Sequence, residues 1–271
     1  MPDAATPLLE LDAVSKSFGK VVVADRLSLT VGAGDVLGMV GPNGAGKTSV
    51  FGLISGTLEP SAGEIRFAGT AVTRMRAPDR CRLGIGRTFQ VPRPFGNMTV
   101  FENVLVAVQQ GAGLRRQASY DAAAQALSRT GLLGQANVLA ERLGLLQRKR
   151  LELARALASA PRLLLLDEVA GGLTDPEVAQ LVGIVRSIQA DGVAVIWIEH
   201  VVRALTPVVD RLVCLAGGTF VGDGKPAEVL ANPAVREVFL GTEVTTSLTG
   251  PLAPGGDEPA DGARDGEHRD G

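Results

Sequence analysis

A glycine-rich turn occupies residues 41–49 and reads Gly41-Pro42-Asn43-Gly44-Ala45-Gly46-Lys47-Thr48-Ser49. One apolar run, 36–40, leads into it and another, 50–54, follows it. This order predicts a buried strand, a turn and a helix that opens at Lys47 or Thr48, the setting of a phosphate-binding loop. Glycines let backbone N–H groups face a phosphate, Lys47 would neutralise the β- and γ-phosphates, and the Thr48 hydroxyl would be a ligand of Mg²⁺. The turn therefore predicts binding of a nucleoside triphosphate, the alternative being an accidental glycine-rich turn.

Composition indicates an ordinary globular protein. With 271 residues, 45% of them hydrophobic and 21% charged, the chain can form one large domain or one domain with an inserted lobe. A net charge of -2 and only 4% aromatic residues argue against a nucleic-acid-binding surface. Cys81 and Cys214 lack the spacing of metal ligands, so we expect reduced thiols. Residues 1–7 do not resemble a signal peptide, and no run approaches about 18 apolar residues. We therefore expect a cytosolic setting, with any membrane attachment made through a partner.

The chain begins and ends with alternating strands and turns, and its middle is helical. Predicted strands are 8–15 with a continuation past Phe18, 21–31 (a pair broken near Ala24-Asp25), 36–40, 64–67, 85–89, 163–166, 193–198, 211–215 and 219–221. Predicted helices are 99–110, 120–130, 136–143, 151–158, 175–190, 226–231 and 233–240. Thr99 and Glu102 have capping-box spacing, and Asp175 would cap the helix that it opens.

These segments predict an α/β fold, a P-loop NTPase core with an antiparallel β edge and an inserted helical subdomain. The ATPase domain would span residues 1–245. Its α/β core would comprise about 1–91 and 159–245, and the helical subdomain about 92–158. Residues 246–271 contain almost nothing to bury, which is typical of a disordered tail.

Two acidic residues, Asp167 and Glu168, follow the apolar run 163–166. An aspartate at the end of a buried strand can hold Mg²⁺, directly or through water. The adjacent glutamate can orient and deprotonate a water molecule for in-line attack on a γ-phosphate. The alternative is that both residues simply begin a solvated turn. Beside a phosphate-binding loop we favour the hydrolytic interpretation.

Three more side chains lie at strand ends. Gln90 could reach both Mg²⁺ and the attacking water, and His200 could contact the γ-phosphate. Phe18 could stack on an adenine ring. Each has a structural alternative: a surface glutamine, a structural histidine and a core phenylalanine. His268 lies in the tail, and we assign it no role.

In this order, the motifs resemble those of ATP-binding subunits of ABC transporters over about residues 8–243. The matching motifs are Phe18 (the adenine-packing aromatic), 41–48 (Walker A), Gln90 (the Q-loop), 163–167 (Walker B), Glu168 (the catalytic glutamate), 171–174 (the D-loop) and His200 (the switch histidine). The resemblance implies an ABC-type ATPase fold with ATP and Mg²⁺ as cofactors. It also implies that ATP drives dimer closure and that hydrolysis resets it.

Several stretches are similar to the branched-chain amino acid importer group, namely 87–90, 97–104, 167–173, 198–201, 224–230 and 239–241. This resemblance implies a place on the cytoplasmic face of the membrane, beside two transmembrane permeases and a second ABC ATPase subunit, which is usually a different chain and alternatively a second copy of this one. An extracytoplasmic substrate-binding protein would supply the cargo. Urea, an aromatic acid, another amide and lipid export remain alternative cargoes. A soluble ABC ATPase of DNA repair or translation is disfavoured because fused ATPase domains and a long coiled coil are lacking. The Asp167-Glu168 pair and His200 disfavour a small-molecule kinase.

The signature segment departs from the family pattern. Counting back from 151–157, the usual Leu-Ser-x-Gly-Gln falls on Leu143-Gly144-Leu145-Leu146-Gln147. Gly144 lacks the hydroxyl that would meet the γ-phosphate bound by the partner, and Leu146 replaces a glycine that permits close backbone approach. The backbone N–H groups and the helix N-terminus remain. We expect the ATP site completed by this segment to be weaker than the site on this chain's own Walker A. The alternative is that the backbone adjusts and both sites work normally.

Overall fold

The computed structural model describes residues 6–200 and 202–240, and their strands form two sheets. The first sheet is antiparallel and contains β1 (Leu9–Phe18), β2 (Val21–Val31), β4 (Ala62–Phe67) and β5 (Thr70–Ala71). The second contains β3 (Val36–Val40), β6 (Ile85–Arg87), β7 (Leu163–Asp167), β8 (Ala194–Ile198), β9 (Arg211–Ala216) and β10 (Thr219–Gly224). Their orders are β2-β1-β4-β5 and β10-β9-β3-β8-β7-β6. The second sheet is parallel except for β10, which pairs antiparallel with β9.

Helices cover both faces of the parallel sheet. The helices of the described residues are α1 (Lys47–Ser55), α2 (Ala77–Arg82), α3 (Val100–Ala107), α4 (Gln117–Arg129), α5 (Leu145–Ala158), α6 (Asp175–Ala190), α7 (Val202–Leu205), α8 (Pro226–Ala231) and α9 (Pro233–Leu240), of which α3 and α4 pack apart from the sheet. Strands buried on both faces are nearly continuous apolar runs, as β3 is and as β7 is up to Asp167. Along β3, Leu37 and Met39 pack towards α1 and the antiparallel sheet, whereas Val36 and Val40 pack towards α6 and α7. The predicted α/β fold is confirmed.

Helices α3, α4 and α5 surround a separate hydrophobic cluster that includes Val104, Leu127 and Leu151. The capping box predicted at the start of α3 is confirmed, because Thr99 N–H donates to Glu102 Oε2 (2.7 Å) and Glu102 N–H donates to Thr99 Oγ1 (3.2 Å). A π-helical turn, Val108–Ala112, continues α3. These three helices thus bury their apolar faces against one another.

Two predictions in this helical region are wrong. Residues 136–143 do not form a helix and contain only a 3₁₀ turn, Ala140–Arg142. The carbonyls of Ala136 and Val138 instead accept N–H groups of Phe101 and Val100 (both 2.9 Å), which lie in the first turn of α3 and lack acceptors within that helix. Helix α5 begins at residue 145, six residues before the predicted start at 151, because the four consecutive polar residues 147–150 interrupt its apolar stripe.

Two smaller predictions also fail. Residues 21–31 form one continuous strand rather than a broken pair, because register shifts against β1 absorb the irregularity as bulges. The cap of α6 is Thr174 rather than Asp175, and Thr174 forms a capping box with Glu177. The predicted tail, 246–271, lies outside the described residues. Cys81 and Cys214 are free thiols. Among the described residues, the helices are too short or too polar to cross a membrane.

Candidate nucleotide-binding and hydrolysis site

The loop between β3 and α1 can be made only with glycine at two positions. Gly41 (φ 151) and Gly46 (φ 102) both have positive φ. A Cβ on Gly41 would lie 2.1 Å from the carbonyl oxygen of Leu215, and one on Gly46 would lie 2.3 Å from that of Val23. Helix α1 begins at Lys47, as the sequence predicts. The curled loop therefore directs the N-terminal N–H groups of a helix towards a pocket, an arrangement suited to an anion.

Lys47 is held inside this loop. Its side chain is buried, and its Nζ donates to the carbonyl oxygens of Gly41 (2.7 Å) and Pro42 (2.9 Å). Burial lowers the pKa of Lys47, while the nearby carboxylates of Glu168 and Asp167 oppose that shift. Its ammonium thus lies between the glycine-rich loop and two acidic side chains, where a phosphate would also be attracted.

One open pocket contains most of the predicted ATP-binding residues. Its lining comprises Phe18, Val23, residues 43–49, Gln90 and Glu168. Phe18 is 49% exposed and its ring centroid lies 5.1 Å from Lys16 Nζ, so it does not belong to the core. An exposed ring at the edge of a phosphate-binding pocket can pack against a nucleobase. Thr48 is exposed in the same pocket, and Ser49 is partly exposed.

Asp167 is buried at the end of β7, which excludes the solvated-turn alternative for this residue. Its Oδ2 pairs with a guanidinium nitrogen of Arg87 at 3.2 Å, and its N–H donates to Thr88 Oγ1. Burial raises the pKa of Asp167, and Arg87 opposes that shift. Within the described residues, Asp167 Oδ1 has no hydrogen-bond partner. A buried carboxylate oxygen without a partner beside the loop fits a Mg²⁺ ligand.

This acidic position is not a complete metal site by itself. Among the described residues, the His, Cys, Asp and Glu side chains form no group of three or more that could hold a metal ion. Mg²⁺ is commonly held by one or two protein oxygens together with substrate phosphates. The oxygens of Asp167 and Thr48 suit such a shared arrangement.

Glu168, Gln90 and His200 come together although they are distant in sequence. Gln90 Nε2 donates to Glu168 Oε2 at 2.5 Å, and His200 Nε2 lies 2.6 Å from Glu168 Oε1. They follow β6, β7 and β8, which are adjacent parallel strands whose ends meet at one edge of the sheet. Both carboxylate oxygens are thus held by nitrogen atoms beside the loop. This arrangement suits a group that orients a water molecule and accepts its proton.

Three residues that sequence reasoning did not single out lie around this centre. Arg87 contacts Asp167, and Lys149 Nζ donates to the carbonyl oxygen of Glu168 at 3.1 Å. Glu199 is 1% exposed, and burial raises its pKa to about 7. The position of Arg87, three residues before Gln90, could have indicated from the sequence that its side chain lies near the site. The sequence contains no such indication for Lys149, because this residue lies between two arginines in a stretch that has the pattern of a solvent-exposed helix.

The predicted signature segment lies at the start of α5. Gly144 is the N-cap residue in an extended conformation (φ -69, ψ 174), and without a side chain it cannot cap the helix itself. Leu145 is 48% exposed, whereas Leu146 is buried and Gln147 is partly buried. In the described part of the chain, these four residues do not line the pocket that contains Lys47.

Comparisons with known proteins agree with this geometry. Residues 24–171 match the ABC transporter family, and residues 222–245 match the family described as branched-chain amino acid ATP-binding cassette transporter. The chain is 34% identical over 250 residues to the high-affinity branched-chain amino acid transport ATP-binding protein BraF of Pseudomonas aeruginosa, covering 87% of this chain and 98% of that protein. It is also 34% identical over 236 residues to the lipopolysaccharide export system ATP-binding protein LptB of Acidithiobacillus ferridurans, with the same coverage.

A solved structure of an ABC transporter cassette has the same fold. The crystal structure of MJ1267, an ATP-binding cassette of an ABC transporter in its ADP conformation, superposes with a TM-score of 0.81 at 26% identity. The match covers 88% of this chain and 100% of that one. The chain therefore belongs to the ATP-binding subunits of ABC transporters, the family of ATP-hydrolysing cassettes that its motifs resemble.

Proposed function

We propose that this chain is the ATPase subunit of an importer for branched-chain amino acids. The match of residues 222–245 to the branched-chain amino acid cassette family carries the cargo assignment, and the similarity to BraF, a branched-chain amino acid transport protein, supports it. The subunit would lie on the cytoplasmic face of the membrane, attached through permeases. It would work beside a second ABC ATPase subunit, two permeases and an extracytoplasmic substrate-binding protein.

Nucleotide binding would begin at the glycine-rich loop. Backbone N–H groups of residues 41–49 would take the phosphate oxygens, while the adenine packs on Phe18. Lys47 would exchange its two carbonyl partners for the β- and γ-phosphates, a charge-assisted contact that is stronger than either neutral one. The loop's two obligatory glycines keep this surface open to the ligand.

The chain's own oxygens would hold Mg²⁺. Asp167, the Thr48 hydroxyl and the Gln90 side-chain oxygen would be its ligands, directly or through water. When bound, the ion neutralises charge that develops on the phosphates. Arg87 keeps one oxygen of Asp167 occupied, which leaves the other oxygen for the ion.

Glu168 would act as the general base. Its carboxylate would orient a water molecule in line with the γ-phosphate and accept its proton, as the water oxygen bonds to phosphorus and ADP departs. Gln90 and His200 hold the two carboxylate oxygens at hydrogen-bond distance. His200 would also contact the γ-phosphate as a donor. The convergence of these three side chains is the observation that supports hydrolysis at this site.

Coupling to transport would involve the proposed helical subdomain of about residues 92–158. This subdomain would be inserted into the α/β core of about residues 1–91 and 159–245. Exposed apolar side chains follow β6 and lie on both sides of Gln90, namely Phe89, Val91 and Phe95. A permease segment seated there would contact the residues leading to Gln90 and the proposed subdomain together. Dimer closure around ATP would then move the permeases.

Lipid export is a second candidate, because LptB, named for lipopolysaccharide export, is as similar in identity as BraF. One experiment separates the two. The tagged full-length chain is purified from detergent-solubilised membranes, every co-purifying chain is identified, and the complex is reconstituted in vesicles. Uptake of labelled leucine, isoleucine or valine with two permeases and a second ATPase present is the expected result. Lipid movement without amino acid uptake would transfer the assignment to export, and recovery of soluble partners alone would contradict both.

A further inference from the structure

Lys149 is a buried cation that lies outside the residues assigned to ATP so far. Its side chain is 5% exposed although it lies in the first half of α5, between Arg148 and Arg150. Burial lowers the pKa of Lys149, and the carboxylates of Glu199 and Glu168 oppose that shift. A lysine is almost never buried without a partner, so its environment needs a reason.

The partner of Lys149 is the backbone of the proposed catalytic glutamate. Lys149 Nζ donates to the carbonyl oxygen of Glu168 (3.1 Å), which also accepts the N–H of Gly171 (3.3 Å). Glu168 itself has φ 49, a left-handed conformation that a residue with a Cβ keeps only when its surroundings hold it there. The ammonium is therefore bonded to the carbonyl of a residue in an unfavourable backbone conformation.

Glu199 holds the next residues of the same turn. Its Oε1 accepts the N–H of Ala170 at 2.6 Å and the Nε1–H of Trp197 at 3.0 Å. It immediately precedes His200, whose ring contacts the Glu168 carboxylate. Residues 168–171 are thus held by an ammonium from α5 on one side and by a carboxyl at the end of β8 on the other.

We propose that Lys149 and Glu199 are positioning residues for hydrolysis, which orient the Glu168 carboxylate by fixing the backbone of residues 168–171. The inference rests on the proposed role of Glu168 as the base. Neither residue lines the pocket that contains Lys47, so we expect neither to contribute to ATP binding. Lys149 also ties the helix that begins with the signature segment to the catalytic turn. A base that is misplaced by about 1 Å can lose on the order of 100-fold in rate, which sets the scale of the effect.

The test compares MgATP turnover by the assembled transporter that carries full-length variants of this chain. Lys149→Met should lower kcat by about 10- to 100-fold and leave the KM for ATP within about 2-fold, because ground-state binding does not use the turn. Lys149→Arg should recover most of kcat, since it retains a cationic donor. Lys225→Met, which removes an exposed lysine at the start of α8, is the matched control and should behave as the wild type.

A second variant covers the case in which Lys149→Met fails to fold because Glu199 loses its compensating charge. Lys149→Met combined with Glu199→Gln removes both charges and keeps an acceptor for Ala170 N–H, and it should show the same loss of kcat. Wild-type kcat in either variant, or a parallel rise in KM, would overturn the inference. A wild-type chain that binds ATP without hydrolysing it would instead overturn the proposed role of Glu168.

Discussion

Glu168 combines an unfavourable backbone conformation with two side-chain contacts. Its φ of 49 is in a region that costs on the order of 1–3 kcal/mol for a residue with a Cβ. Gln90 and His200 hold its carboxylate, and Lys149 holds its carbonyl. A residue whose main chain and side chain are both restrained is suited to placing one water molecule accurately, because little reorganisation is left for the reaction.

Replacement of Glu168 by glutamine is the direct test of the proposed base. The amide keeps the size of the side chain but cannot accept a proton, so turnover should fall by about 100- to 10,000-fold while ATP binding persists. Phosphate release and calorimetric ATP binding measure the two quantities. Glu237→Gln, a change at an exposed glutamate of α9, should alter neither of them. Retained turnover in Glu168→Gln would assign the base to another residue.

Glu199 makes folding stability depend on pH. Burial raises the pKa of Glu199 from 4.5 to about 7, even though Ala170, Trp197 and Lys149 favour the ionised form. Its contribution to stability is therefore fully present below pH 4.5 and is lost as the pH rises through about 7. Between these limits the free energy of unfolding should fall by roughly 3 kcal/mol.

Glu199→Gln removes this titration while keeping an acceptor. Urea unfolding at pH 5 and pH 8 should show similar stability for the two proteins at the lower pH and a more stable variant at the higher pH. Glu237→Gln serves as the control that should follow the wild type at both values. An equal difference between wild type and Glu199→Gln at the two pH values would contradict the raised pKa.

At the scale of secondary structure, the helices differ in how they begin. Thr99 and Thr174 begin α3 and α6, and each pairs with a glutamate three residues on, Glu102 and Glu177, in a capping box. Gly144 precedes α5 without a side chain that could do the same. The first N–H groups of α5 therefore need another acceptor, and the phosphates of a nucleotide bound by the partner subunit would provide one under the proposed function.

The departure of the signature segment from the family pattern predicts unequal ATP sites. Gly144→Ser with Leu146→Gly should raise the ATPase rate of the assembled transporter, because a hydroxyl bonded to a charged phosphate contributes about 1.5–3 kcal/mol, or roughly 10-fold or more in affinity. Leu146 is buried, so its loss should destabilise the chain by about 2–5 kcal/mol.

Gly144→Ser alone is the control that separates the hydroxyl from this packing defect, and urea unfolding of all three proteins measures the defect itself. An unchanged ATPase rate in the double variant, with the fold retained, would show that both sites already work normally.

At the scale of the whole molecule, a single side chain, that of Arg87, contacts both the hydrolysis site and the proposed permease surface. Arg87 contacts Asp167 and also lies over the rings of Phe51 (5.8 Å) and Phe89 (5.3 Å). Phe89 is 46% exposed. The Arg87 side chain thus contacts both Asp167, a proposed Mg²⁺ ligand, and Phe89, which belongs to the exposed apolar surface around Gln90. A partner bound to that surface would be separated from the proposed metal ligand by the Arg87 side chain alone.

Val91→Asp should prevent assembly with the permeases. Val91 is 66% exposed, so a charge there should leave folding and ATP binding intact while opposing burial against an apolar partner segment. The measurement is recovery of permeases with the tagged chain from solubilised membranes. Leu133→Asp, at a 49% exposed position after α4, is the matched control and should retain the permeases. Equal recovery with both variants would place the permease surface elsewhere.

The sequence predicted the elements whose signals are local. The loop at 41–49, the apolar parallel strands and the start of α1 follow from periodicity and glycine placement, and all are found in the structure. The same reasoning failed for residues 136–143, because their irregular conformation is held by hydrogen bonds to the distant start of α3. The predicted start of α5 is too late for a related reason: the second turn of this helix buries Lys149, which a periodic pattern counts as polar.

By itself, the sequence determined the family, the α/β fold and the identities of the candidate site residues, since glycine spacing and strand ends are properties of short segments. Only the tertiary structure decided that β6, β7 and β8 are neighbours, which brings Gln90, Glu168 and His200 together. The pairing of Arg87 with Asp167, 80 residues apart, is likewise visible only in the tertiary structure. The same holds for the burial of Lys149 and Glu199 on either side of the turn at residues 168–171. Such contacts depend on how distant segments exclude water from each other, and no short stretch of the chain encodes that.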